Sequence, residues 1–214
     1  ALGRELYDKR HELAPRFSEV DDALDSACRE RGGPVVLADV ADNPGGGAPG
    51  DSTFILRRLI ERGLTDAVSG IYWDPVSVRF CREAGEGAKL DLRIGGKVGP
   101  SSGTPLDLTV TVRRLAGGLT QRFGDVPLPI GEAAWVTADG IDIVLNTLRT
   151  QVFHPESMTA LGIDLSSRRI VVVKSTNHFY TGFAPIAARV IHVAAPGALE
   201  QRGAAILGKE AGLF

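Results

Sequence analysis

Along the first third of the chain, apolar residues switch between helical spacing and short unbroken runs. Phe17, Val20, Leu24, Ala27 and Cys28 fall on one face of a helix that Gly32-Gly33-Pro34 terminates. Val35 to Ala38 is a short apolar run, which predicts a buried strand. Ile55, Leu56, Leu59 and Ile60 mark a helix over 53–62, stopped by Gly63 in the position that favours glycine just past a helix end. Ala67 to Trp73 predicts a second strand. Asp74-Pro75 then supplies an N-cap with proline at the first helical position, opening a helix that closes near Gly85. This succession predicts a βαβ unit and a parallel sheet. Residues 1–31 read as two helices broken near Pro15.

The middle third changes period. Leu90, Leu92 and Ile94 alternate with charged residues, as do Leu106, Leu108, Val110 and Val112 with Asp107, Thr109, Thr111 and Arg113. Alternation at period two, with one wet face, is the mark of antiparallel strands. Asp139-Gly140 between two apolar runs predicts a tight hairpin. Residues 87–152 therefore read as an antiparallel insertion. After it, His154-Pro155 opens a short helix. Ile170 to Val173 is a β-branched run suited to a strand buried on both faces, and 189–194 is a last strand. The expected fold is α/β: a mostly parallel sheet flanked by helices, with an antiparallel β insertion in the middle third.

Composition narrows the partners. The 214 residues are 43% hydrophobic and carry a net charge of −2, enough for a sizeable core but without the basic face of a nucleic-acid binder. No apolar run reaches the roughly 20 residues of a membrane span, and residues 1–16 lack a signal-peptide pattern. The expectation is a cytoplasmic protein that binds neither nucleic acid nor membrane, with a homo-oligomer left open. Cys28 and Cys81 match no metal or redox spacing.

Candidate chemistry concentrates between the first strand and the helix at 53–62. Asp39, Asp42, Asn43, Gly45, Gly46, Gly47, Asp51, Ser52 and Thr53 crowd a connection that needs only a few residues. Glycines let a ligand approach the main chain, and a helix start favours anions. Gly45, Gly47 and Gly50 match a G-x-G-x-x-G spacing, interrupted by Pro44 and Pro49, and no lysine precedes Ser52 as a P-loop requires. The loop is either an anion or peptide cradle or an elaborate turn capped by Asp51 or Ser52. At strand ends, Asp74 reads as a cap, whereas Lys174, Ser175, Asn177 and His178 follow the β-branched run. Open parallel sheets collect ligands at these carboxyl ends. Arg149 and Gln151 reach toward a carboxylate or lie on a solvated edge. The histidines show no metal-ligand spacing. A cluster of His178 with Asp39 and Asp42 is the arrangement left for a divalent ion, and lone histidines are seldom ligands. No metal ligand is assigned within the chain.

Val36 to Asp51, Ile71 to Pro75, Gly95-Gly96-Lys97, Arg149 to Phe153 and Val171 to Phe179 resemble, in order, the C-terminal region of the microcystinase C (MlrC)-like metallopeptidase family. The resemblance covers about residues 35–196. It implies a C-terminal α/β domain over 34–214, with 1–33 a helical connector from a longer protein. It also implies a zinc-dependent peptidase or amidohydrolase whose zinc ligands lie in an N-terminal domain outside this chain. That domain and a small peptide or amide would be the partners, met by the Gly-rich loop and by residues 174–178. Two other classes remain: a non-catalytic module for small anions, and a structural interaction domain.

Overall fold

The computed structural model describes residues 2–9, 12 and 16–199. The predicted break near Pro15 and the tail beyond residue 199 lie outside them. Among the described residues, six α-helices precede and separate eight strands. The helices are α1 (Leu2–Asp8), α2 (Val20–Arg29), α3 (Phe54–Glu61), α4 (Pro75–Ala84), α5 (Glu156–Thr159) and α6 (Tyr180–Phe183). The strands are β1 (Val35–Asp39), β2 (Ala67–Trp73), β3 (Lys89–Ile94), β4 (Leu106–Phe123), β5 (Val126–Ala138), β6 (Ile141–Asn146), β7 (Ile170–Val173) and β8 (Arg189–Val193).

All eight form one sheet in the order β3-β4-β5-β6-β2-β7-β1-β8. From β6 to β8 neighbouring strands are parallel, and from β3 to β6 they are antiparallel. The antiparallel segment is thus a continuation of the sheet, with β6 shared by both halves. The strands of the βαβ unit, β1 and β2, are not neighbours, because β7 lies between them. Chemistry explains that choice. Ile170 to Val173 are all buried, and the most apolar strand takes the position covered on both faces.

Two apolar layers sandwich the parallel half. On one side Val35, Leu37, Ile170 and Val172 pack with Leu24 of α2, Leu56 and Leu59 of α3, and Val78 of α4. On the other, Val36, Ala38, Val171 and Val173 pack with Met158, Phe179 and Phe183. Each such side chain contributes roughly 1.5–3 kcal/mol on burial. α2 buries Ala23, Leu24 and Ala27 in the first layer, whereas α1 buries none of its residues.

The expected turns form as their residues require. Asp74 accepts a hydrogen bond from Ser77 N at 3.1 Å, capping α4. Asp139 and Gly140, at φ 49° and 76°, close the β5–β6 hairpin. The unexpected element is the length of the β4–β5 hairpin. It runs to Phe123↔Val126, and register shifts between Val112 and Thr120 bend it. Glycines and prolines from Gly117 to Pro129 hide this part from any periodicity.

Candidate functional site

The carboxyl ends of β1, β2 and β7 meet as adjacent strands must, and what they build is closed. Lys174, the residue after β7, sits between its neighbours with 1% of its surface exposed. Its ammonium donates to Asp42 Oδ2 at 2.8 Å and to Ser52 O at 2.8 Å, with Asp39 Oδ2 at 3.4 Å. The Tyr72 ring lies 4.6 Å from the same Nζ. Asp42 then binds the far side of its own loop, Oδ1 accepting from Gly50 N at 2.8 Å and Oδ2 from Ser52 N at 2.7 Å. Burial lowers the basicity of Lys174, but the charges of Asp42 and Asp39 outweigh it and hold the amine above its ordinary pKa. Burial raises Asp39 to about 6, against the pull of Lys174 and with the push of Asp42. Asp39 Oδ1 is buried without a hydrogen bond among the described residues.

The remaining glycine amides of the loop are spent internally. Asn43 Oδ1 accepts from Gly45 N at 2.9 Å, Asn43 O from Gly46 N and Ala48 N, and Pro44 O from Gly47 N. Thr53 N donates to Ser102 O at 3.1 Å. Asp51 does not cap α3: its Oδ2 accepts from Lys97 N at 2.7 Å and Val98 N at 3.1 Å. Neither Ser52 nor Thr53 caps it by a side chain. A cradle of free main-chain N–H groups is therefore not what these glycines make. Gly45 serves a different contact, since a Cβ there would meet the Gln151 amide at 2.7 Å. Arg149 belongs to the same lock, donating to Ala48 O at 2.8 Å.

Lys97, named from the sequence only within a family motif and not among the site residues, places its Nζ 2.7 Å from both Asp74 oxygens and 2.8 Å from Ser77 Oγ. Asp74 is more than a cap, holding also Gly95 N at 3.0 Å. Proximity in the chain offers no sign of this pair.

The open side lies where the bent β4–β5 hairpin arches over the segments that follow β6 and β7. Gln121, fully buried, fastens it there: its Nε2 donates to Gln151 O at 2.8 Å and its Oε1 accepts from Phe153 N at 2.8 Å. Beneath the hairpin tip is a cavity of about 420 Å³ lined by Arg122, Phe123, Phe153, His154, Asn177 and His178, among others. The His178 ring meets Phe123 edge-on at 5.1 Å, and Phe153 lies 4.8 Å from Phe123. Asn177 and His178 were expected at the site; Gln121, Arg122 and Phe123 were not, because their hairpin carries no strand pattern. Asn43 links the two sides, its Nδ2 donating to Thr176 Oγ1 at 3.0 Å.

His178 engages Gln151 and the rings, while Asp39 and Asp42 engage Lys174, so these three do not assemble into an ion site. Among the described residues no group of three or more His, Cys, Asp or Glu side chains is placed to hold a metal ion. No helix among them is long and apolar enough to cross a membrane.

Known proteins are similar to this chain in sequence and in fold. Microcystinase C of Sphingomonas sp is 39% identical over 161 residues, spanning 75% of this chain and 32% of that protein. A crystal structure of a candidate metallopeptidase from Mesorhizobium sp. BNC1 superposes with a TM-score of 0.81 at 34% identity, covering 91% of this chain and 40% of that one. The chain thus spans well under half the length of either relative. The family model described as MlrC C-terminus matches residues 37–207. The chain belongs to the MlrC C-terminus family.

Proposed function

We propose that this chain is the C-terminal domain of an MlrC-like peptidase or amidohydrolase, presenting one edge of its sheet to a zinc site held by a separate N-terminal domain. The observation that carries this reading is the family match over residues 37–207, in a chain that spans 32% of its microcystinase relative. Zinc bound in such a domain supplies a Lewis acid and an activated water. The residues of this chain bind and orient.

Their division of labour follows from the geometry. The Lys174–Asp42–Asp39 lock holds the loop over 39–53 as a rigid floor. Gln151, Asn177 and His178 stand at the open side, where open α/β sheets take their ligands. Residues 1–33 would connect the two domains. α1, which exposes Leu2 and Leu6, offers apolar surface for the missing neighbour. A free-standing module for small anions fits less well, because the amides of the loop's glycines are already engaged.

The test is the zinc content of the 214-residue chain and its hydrolysis of a linear peptide, alone and with the N-terminal region of the same protein added. The expected result is no retained zinc and no turnover alone, with turnover appearing in the mixture. Stoichiometric zinc and hydrolysis by the chain alone would overturn the reading.

A further inference from the structure

The cavity beneath the hairpin has a chemistry of its own. Its one full-time cation, Arg122, is already neutralised, Nε lying 2.8 Å from Glu156 Oε1. An anionic ligand would thus find no unpaired positive charge among the lining residues. Phe123 and Phe153 form an apolar wall, with ring centroids at 4.8 Å, that leaves Phe123 44% exposed. Beside it stand polar groups with nothing to bind. Asn177 and Thr181 line the cavity, and neither side chain makes a hydrogen bond among the described residues.

His178 is set by its neighbours to act as a donor. With the Gln151 amide turned so that its Oε1 accepts from Ser175 Oγ at 3.3 Å, its nitrogen faces His178 Nδ1 at 3.2 Å. An amide N–H can only donate, so Nδ1 accepts, and the proton of the uncharged imidazole sits on Nε2. No described residue takes up that Nε2–H. Gln151 is in turn fixed by its backbone contact to Gln121 and its packing on Gly45.

We propose that this cavity is a subsite for one residue of a peptide, bearing an aromatic or branched apolar side chain. The side chain lies against Phe123 and Phe153. The His178 Nε2–H donates to a peptide carbonyl, and the Asn177 amide pairs with the adjoining peptide group. The cavity volume of about 420 Å³ suits such a unit, within the roughly 300–1,000 Å³ common for small-ligand sites. Gln151 is a positioning residue that selects the donor tautomer of His178. The assignment rests on the peptide substrate proposed above, but its test needs neither zinc nor turnover.

The experiment is a titration of the ¹⁵N-labelled 214-residue chain with N-acetyl-phenylalanine amide and, separately, N-acetyl-alanine amide. The phenylalanine probe should shift the amides of Gly124, Asn177, His178 and Thr181 and bind about tenfold more tightly than the alanine probe, a difference of about 1.4 kcal/mol. His178→Ala and Asn177→Ala should each weaken it about tenfold, near the net value of one hydrogen bond. Imidazole ¹⁵N shifts should report a bare Nδ1 and a protonated Nε2, and Gln151→Glu should reverse them. Equal or undetectable binding of the two probes sinks the assignment, as does binding that survives both alanine variants. Selective binding by a chain whose mixture with the N-terminal region hydrolyses nothing would retain the subsite and reject the peptidase reading. Turnover in the mixture without selective binding would do the reverse.

Discussion

Two polar regions share the carboxyl edge of this sheet, and they use their polarity in opposite ways. Around Lys174, acids and glycine amides are turned inward: the ammonium, both Asp42 oxygens and the amides of Gly50 and Ser52 are answered within 2.7–3.4 Å, and Asp39 Oδ1 is left buried without a hydrogen bond among the described residues. Around His178, a few polar groups stand exposed beside aromatic rings without partners. The first region is the denser in charge and the more conspicuous in sequence, yet it is a lock. What separates a lock from a site is the account of which hydrogen bonds are already made, because a buried polar group must be satisfied internally whereas a ligand-binding one must not.

That contrast can be broken most forcefully at Lys174. Lys174→Met leaves two buried carboxylates without their counter-ion, and should cost about 3–5 kcal/mol of stability. Urea denaturation reads the loss, and a change below 1 kcal/mol would mean the lock is ornamental. Next in size is the pH dependence set by Asp39. Its carboxyl sits at about 6 in the fold, against an ordinary 3.8, so the folded state holds the proton longer than the unfolded one. The contribution to stability is therefore full below pH 3.8 and lost as pH rises to about 6, by roughly 3 kcal/mol. Stability curves of the chain and of Asp39→Asn, compared between pH 3.5 and 7, should diverge in that window and run parallel outside it. Identical slopes would show that Asp39 titrates normally.

A smaller effect belongs to the hairpin. Gln121→Ala strips Gln151 O and Phe153 N of their partner and should cost about 1–3 kcal/mol, with the wall of the cavity loosened. Hydrogen exchange at Phe153 reports it directly, and unchanged protection there would uncouple the hairpin from the segment beneath. The smallest effect is the sharpest test of the contrast. His178→Ala, at an exposed position, should alter stability by no more than about 0.5 kcal/mol. A larger loss would make His178 part of the scaffold and not of a site.

Asp74-Pro75, Asp139-Gly140 and the run at 170–173 each announced their element, because capping, turn geometry and two-sided burial act over a few residues. The convergence of Asp42 and Lys174 followed from strand order once strands were placed. The direction their side chains take did not, since an unpaired loop acid and one folded back on its own amides look alike in sequence.

By itself, then, the sequence determined the strands of the parallel core, the Asp74 cap, the Asp139-Gly140 turn, and the family to which its motifs belong. All of these rest on local conformational preference and on the period of apolar residues. Only the tertiary structure decided that β7 divides β1 from β2, that the glycine-rich loop closes on Lys174, and that a bulged hairpin of glycines and prolines arches over His178. Those outcomes depend on contacts between residues far apart in the chain, such as Gln121 with Gln151 and Asp42 with Lys174, whose partners no local pattern specifies.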